Sequence, residues 1–239
     1  MRTTAYIIAA GISAMALTSC GKVIKIHTDK DRITKEIDIT KEIQAGQAFN
    51  AIESYNTTDI EYVDGPAKIT LTAGKNQINE ISVFVKDSVL VVTGPDQIGG
   101  KFFSKGDPKS KLTISYPGVS SFTTYGTGDM EIAPADGLAI VLNSIGTGDI
   151  EATRINCTRL FAQTSGTGDI SLGNVTCTDA ELYTQGTGDI DISDISAGNI
   201  KAETNGTGDI TIAGTCRSTD FSESGVGDIN ARKLKTVSK

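Results

Sequence analysis

The sequence predicts an all-β protein built as a parallel β-helix, or β-solenoid, with rungs of about 20 residues and more irregular strands before them. The first observation is a repeat. Gly-Thr-Gly-Asp-Met begins at Gly126, Gly-Thr-Gly-Asp-Ile begins at Gly146, Gly166, Gly186 and Gly206, and Gly-Val-Gly-Asp-Ile begins at Gly225; the spacings are 20, 20, 20, 20 and 19 residues. That period is too short for a helical hairpin and matches one coil of a solenoid. The second is alternation. Leu160, Ala162, Thr164, Gly166, Gly168, Ile170 and Leu172 share one parity, while Phe161, Gln163, Ser165, Thr167, Asp169 and Ser171 share the other, as strands with one face inward require. The third is composition: 38% hydrophobic with only 5% aromatic and no Trp suits a narrow interior of Ile, Leu, Val and Ala, and disfavours an aromatic platform for sugars or bases.

Residues 1–19 read as a lipoprotein signal peptide. Arg2 is a minimal basic region, Thr3 to Leu17 is apolar but short for a membrane helix, and Leu17-Thr18-Ser19-Cys20 resembles a lipobox in which Cys20 carries the lipid after cleavage. Lipid chains would then hold a soluble domain at a membrane without a spanning helix. Cleavage removes Arg2 and no other charge, leaving 21 basic against 29 acidic residues. A net charge of −8 opposes nucleic-acid binding.

Residues 20–42 form the lipidated Cys and a tether, whose end, with Ile37 and Ile39 alternating, is expected to join the fold. The solenoid domain spans residues 43–239, with regular rungs at about 120–231. A degraded copy opens it: Ile52 to Tyr62 aligns with Phe122 to Ile132, with Asn56 and Thr58 in place of the two glycines. Strands are expected at Ile69 to Ala73, Ile81 to Val85, Val89 to Thr93 and Leu112 to Tyr116, β-branched runs punctuated by turn residues such as Asp87-Ser88 and Pro117-Gly118. Gly99 to Lys111 is a basic loop with adjacent Phe102 and Phe103, which either marks a contact site or tucks back on the solenoid. Arg232, Lys233, Lys235 and Lys239 make the C-terminal tail basic, and it either caps that end or leans toward the acidic strip.

Read in columns, the paired glycines serve geometry, letting thin walls approach or supplying positive φ at a corner; a phosphate cradle would need a single loop opening onto a helix. Asp129, Asp149, Asp169, Asp189, Asp209 and Asp228 form a second column, joined two residues on by Glu131, Glu151 and Asp191. Three roles fit it: accepting backbone hydrogen bonds at each rung's own corner, binding Ca²⁺ between rungs, or facing water. The column Thr127, Thr147, Thr167, Thr187 and Thr207 ends in Val226, so β-branched packing explains it better than a hydroxyl surface.

Cys157 and Cys177 each fall eleven residues past the first Gly of their repeat and are expected to stack in adjacent rungs, either bridged or as buried thiols; Cys216 has no evident partner. Catalysis finds little support. The only histidine is His27, in the tether, and acid–base candidates such as Asp189, Asp191, Arg154, Arg159 and Arg217 do not interrupt the repeat as an active site would.

Together, the lipobox, the run Lys111 to Pro117 leading into Ser121 to Asp129, and the repeated Gly-x-Gly-Asp-Ile resemble the auto-transporter adhesin, head GIN domain family, over about Phe49 to Ala231. The resemblance implies a β-helical fold and, through the family's name, adhesion. The reading that follows is a non-enzymatic, lipid-anchored β-solenoid of the cell envelope, at the outer membrane, that binds a glycan or protein ligand and takes no cofactor unless the aspartates hold Ca²⁺. The alternatives are a carbohydrate-active β-helix enzyme and a structural envelope spacer.

Overall fold

The structure is a computed structural model that describes residues 38–75, 77–94 and 110–237. Within these residues there is no helix. The strands in chain order are β1 (Asp38–Ile43), β2 (Ala51–Ser54), β3 (Asp59–Val63), β4 (Lys68–Gly74), β5 (Ser82–Lys86), β6 (Val89–Thr93), β7 (Lys111–Ser115), β8 (Ser121–Thr124), β9 (Met130–Ile132), β10 (Ala135–Ser144), β11 (Ile150–Thr164), β12 (Ile170–Thr184), β13 (Ile190–Thr204), β14 (Ile210–Cys216), β15 (Ser218–Glu223) and β16 (Ile229–Thr236). The fold is the expected β-solenoid, and every pairing from β8 to β16 is parallel.

Register follows the repeat. Ile150, Ile170, Ile190, Ile210 and Ile229 stack on one another, as do Thr164, Thr184 and Thr204. Within one coil the burial of β11 runs Ile150, Ala152, then Ile155, Cys157, then Leu160, Ala162, Thr164. Two steps of three residues among steps of two mark two bends, and the Gly-Thr-Gly-Asp segment turns a third corner, so each coil has three sides. Ile, Leu, Val and Ala line the interior, mostly at 0–2% exposure.

The degraded copy stacks as the alignment predicts: Ile52 lies on Phe122, Ile60 on Met130 and Tyr62 on Ile132. Chain order and spatial order differ here, because β6 and β7 form the rung beneath β2 and β3. The chain therefore lays down the second rung first, returns underneath it, and then climbs past it. Antiparallel strands close this end, with β4 against β7, β1 against β4, and β5 against β6. The two-residue turn between β5 and β6 is Asp87-Ser88, with φ of 51° and 65°, the left-handed pair that suits a tight hairpin. Lys41 and Glu42, placed in the tether by sequence, lie in β1.

The repeat glycines do a different job from either one expected of them. None has positive φ; that conformation is confined to Gly46, Gly118 and Gly214 among the described glycines. Instead, a Cβ on Gly166 would fall far inside contact distance of the Gly146 carbonyl oxygen, and every other repeat glycine meets the backbone of the rung beneath in the same way. Asn56 and Thr58 keep side chains because the space under them is occupied by Gly94 and Ser110 rather than by a tight corner; the two hydroxyls of Thr58 and Ser110 hydrogen-bond at 2.9 Å. The substitution Gly166→Ala is expected to destabilise the domain by about 4 kcal/mol or more. Gly137→Ala, whose Cβ would meet only the Ile140 side chain at 3.4 Å, is expected to stay within about 0.5 kcal/mol. Urea unfolding of the two variants checks this.

Candidate functional site

The corner is where backbone hydrogen bonding becomes uneven. In the rung of Gly146, the N–H groups of Ile145 and Gly146 both reach Thr124 O (2.8 and 3.1 Å), and those of Thr147 and Gly148 both reach Gly126 O (2.9 and 3.2 Å). Asp149 N–H is the fifth in a row to face the rung below and finds no carbonyl. The carboxylate of the rung below takes it: Asp149 N donates to Asp129 Oδ1 at 3.0 Å. The same bond recurs from Asp169 to Asp149 (2.8 Å), Asp189 to Asp169 (2.8 Å), Asp209 to Asp189 (2.7 Å) and Asp228 to Asp209 (2.8 Å). It begins one rung lower, with Asp129 N on Asp59 Oδ1 at 3.2 Å. Each aspartate from Asp59 to Asp209 thus serves the corner above it rather than its own.

Inside the same corner the carbonyl of the second glycine points into the coil, where no strand partner exists. A buried hydroxyl answers it. Thr124, Ser144, Thr164, Thr184 and Thr204 are all at 0% exposure, and Ser144 Oγ donates to Gly148 O at 2.9 Å, Thr164 Oγ1 to Gly188 O at 2.8 Å, Thr184 Oγ1 to Gly208 O at 3.0 Å and Thr204 Oγ1 to Gly227 O at 3.1 Å. Sequence reasoning missed this column. Its signal was present, a Ser or Thr two residues before the first Gly of each copy from Thr124 to Thr204, and Ser54 at the same offset from Asn56.

The carboxylates form an exposed strip, deepest at its lower end. There Asp59, Glu61, Asp129, Glu131, Asp149 and Glu151 line a shallow depression of about 250 Å³ with Lys111 at its edge. Lys111 Nζ pairs with Glu61 at 2.9 Å, both side chains well exposed, so the pair contributes little to stability. Among the described residues no three acids, histidines or cysteines converge as metal ligands.

On the other side of the corner lies a face formed by β6, β2, β8, β10, β11, β12, β13 and β15 in spatial order. At about 4.8 Å per strand it extends roughly 30 Å. Aromatic and aliphatic side chains cross it. Tyr55 and Tyr125 stack at 4.5 Å with nearly parallel rings and are exposed at 46% and 41%; Ile145 above them is exposed at 41%. Higher up, Phe161 and Tyr183 meet at 5.4 Å, and Lys201 sits over the Tyr183 ring. Polar groups are set among them: Tyr55 Oη donates to Glu53 at 2.6 Å, Tyr183 Oη to Glu181 at 3.1 Å and Asn143 Nδ2 to Thr123 Oγ1 at 3.3 Å. The Glu53 carboxylate holds the Tyr55 phenol above its usual range. The low aromatic content argued against such a surface, yet the fold gathers four of the aromatics on one face.

Cys157 and Cys177 stand in neighbouring rungs and are free, buried thiols, as is Cys216. Burial pushes the Cys157 thiol up to about 11 and the Cys177 thiol up to about 12, with the neighbouring Cys157 adding to the second shift. Arg154 pairs with Asp136 at 3.4 Å rather than with the acidic strip. Cys20, His27, Phe102 and Phe103, with the lipobox and residues 99–109 of the basic loop, lie outside the described residues, while Lys111 at the loop's end opens β7.

The family model "putative auto-transporter adhesin, head GIN domain" matches residues 48–176 and 172–238, and the chain belongs to that family. Solved structures agree in fold. An adhesin-named protein from Bacteroides fragilis superposes with a TM-score of 0.67 at 24% identity, covering 81% of this chain and 96% of its own. A protein from Parabacteroides distasonis named for lipid binding gives 0.56 at 19% identity, with coverage of 81% and 96%. An adhesin-named protein from Parabacteroides merdae gives 0.51 at 18% identity, with coverage of 80% and 95%. No curated protein matches the chain.

Replacing Asp169 by Ala removes the acceptor of the Asp189 N–H and is expected to cost about 1–2 kcal/mol, with Asp169→Asn costing less because an amide oxygen can still accept. Thermal unfolding of the two variants compares them. Cys157 and Cys177 are expected to resist alkylation by iodoacetamide at pH 8 in the folded protein and to react fully in urea, read by mass spectrometry.

Proposed function

We propose that this protein is a non-enzymatic adhesion module of the cell envelope, held at the outer membrane by lipid on Cys20, that binds a glycan or protein ligand on the face carrying Tyr55, Tyr125, Ile145, Phe161 and Tyr183. The observation that carries the reading is the exposure of Tyr55, Tyr125 and Ile145, at 46%, 41% and 41%, on consecutive rungs of one flat face. Water-exposed aromatics bordered by Glu, Asn and Gln provide both the apolar contact and the directional polar groups that a carbohydrate or protein surface engages. Membership of an adhesin family and structural likeness to adhesin-named proteins support it. Asp129, Asp149, Asp169, Asp189 and Asp209 each accept a backbone N–H through one carboxylate oxygen, a structural employment that supports the non-enzymatic reading.

Two measurements test the proposal. Metabolic labelling with a radioactive fatty acid is expected to mark the protein and to fail for Cys20→Ser. On a glycan and matrix-protein array, the triple variant Tyr55→Ala/Tyr125→Ala/Ile145→Ala is expected to lose at least ten-fold in signal while keeping its circular dichroism spectrum. Equal binding by the variant would exclude this face.

A further inference from the structure

Neither the corner chemistry nor the aromatic face gives Cys157 and Cys177 a duty. Both side chains turn inward between exposed neighbours, Asn156 and Thr158 in one rung and Thr176 and Thr178 in the next. The two strands keep one register on either side of them, with Asn156 on Thr176 and Arg159 on Asp179, so one thiol stands directly over the other. They are close enough that charge on Cys157 acts on Cys177.

Small residues continue the column. Gly137 lies beneath Cys157 and Ala197 above Cys177, so the column closes over neither sulfur with a bulky side chain. Cys216 follows above Ala197, since Ser196 pairs with Thr215, and a rung without sulfur separates it from the pair. It is at 0% exposure, whereas Cys157 and Cys177 keep 9% and 8%. Solvent therefore reaches the pair and not the third thiol.

Magnitudes decide what such a pair can hold. A disulfide places its sulfurs about 2.05 Å apart on Cβ atoms about 3.8 Å apart, while stacked parallel strands keep equivalent atoms ~4.8 Å apart. Closing a bridge would pull two rungs together at one point against the pairing on both flanks, and the thiols are free. An ion held in a line between the sulfurs needs the opposite. Metal–thiolate bonds are about 2.3 Å long, so a linear sulfur–metal–sulfur unit spans about 4.6 Å, close to the rung spacing. The direction fits as well. Side chains stand roughly perpendicular to a sheet, and these two sulfurs are displaced from each other along the solenoid axis, so an ion midway between them meets each Cβ–S bond near a right angle, where a thiolate lone pair points.

The donor set selects the ion. Among the described residues no third acid, histidine or cysteine converges on the pair, which leaves zinc without its four ligands. Cu(I) is soft, prefers thiolate and is satisfied by two of them in a line. The Ile140 backbone N–H, directed at the Cys157 sulfur, favours the charged form that binds it.

We propose that Cys157 and Cys177 form a two-coordinate Cu(I) site, with the ion bound between the sulfurs of adjacent rungs. Binding breaks two S–H bonds, forms two Cu–S bonds and releases two protons to water, leaving a bis-thiolate of single negative charge; no electron moves. Alkylation needs a thiolate in advance, whereas a soft ion displaces the proton itself. The same buried thiols can thus resist iodoacetamide and accept copper.

The test titrates Cu(I) into the reduced full chain without oxygen, against bathocuproine disulfonate, whose colour reports the ion it holds. One Cu(I) per chain is expected to be withheld from the chelator, and Cys157→Ser or Cys177→Ser is expected to weaken binding about a hundred-fold or more. Cys216→Ser and Cys20→Ser are expected to bind as the unmodified chain does, and X-ray absorption at the copper edge is expected to show two sulfur neighbours. Undiminished binding by Cys157→Ser or Cys177→Ser, loss of binding in Cys216→Ser or Cys20→Ser, or a Cys157–Cys177 disulfide found by peptide mapping of the protein as purified would overturn the proposal. Circular dichroism checks that each variant folds. Should one fail, the X-ray absorption of the unmodified chain decides alone, and a third sulfur or any nitrogen or oxygen neighbour counts against the site.

Discussion

The contact on which this molecule depends is the approach of backbone to backbone at the Gly-Thr-Gly-Asp corner. Successive rungs stack there so closely that the carbonyl of one lies where a Cβ of the next would be. Glycine is required for that reason and not for a special φ. The same tight turn aims five consecutive N–H groups at the rung below, where two carbonyls take four of them. The fifth belongs to the aspartate, and the only acceptor within reach is the aspartate beneath. Glycine, aspartate and the buried Ser or Thr are thus three answers to one geometric problem, which is why they recur together and at a fixed spacing.

Because each tight corner leans on the one below, the series of corners needs a first member that makes no such demand. Asn56 and Thr58 identify it. They retain side chains, and Thr58 turns its hydroxyl to Ser110 instead of presenting bare backbone to another tight corner. One more parallel rung, of β6 and β7, lies beneath it, and below that the chain changes style to antiparallel strands, which cover the coil and end the propagation of parallel edges. No comparable cover lies over β15 and β16 among the described residues. A solenoid grows by nearest-neighbour stacking, so its ends are where its behaviour toward other molecules is decided.

The corner also divides the surface into two zones of different character. On one side the carboxylates of Asp59 through Asp209 line up because the backbone uses them, leaving an acidic strip with one oxygen of each occupied. On the other side nothing in the repeat dictates the outward residues, and these vary from rung to rung: Tyr55, Tyr125, Ile145, Ser165, Gln185 and Asn205 occupy one column. Variation at positions free of structural duty, on a surface held flat by those that are not, is the arrangement in which a solenoid carries recognition.

Much of this was legible before any coordinates. The period, the inward parity, the offset of the degraded copy and the stacking of Asp129 to Asp228 all follow from spacing, because a parallel coil places residues one period apart directly over each other. What spacing does not contain is direction. Whether a missing Cβ faced the opposite wall or the rung below, and whether an aspartate served its own corner or the next, depended on how the backbone rotates through the turn. Nor does one-dimensional order show that β6 and β7 lie under β2 and β3, since the chain returns beneath a rung already made. The aromatic face had the same obscurity: Tyr55, Tyr125, Phe161 and Tyr183 are spread over 129 residues, and only the coiling brings them to one side. The repeat therefore settled the fold and its columns, while the turn geometry and the path of the chain settled which atoms meet and which surfaces are left to meet something else.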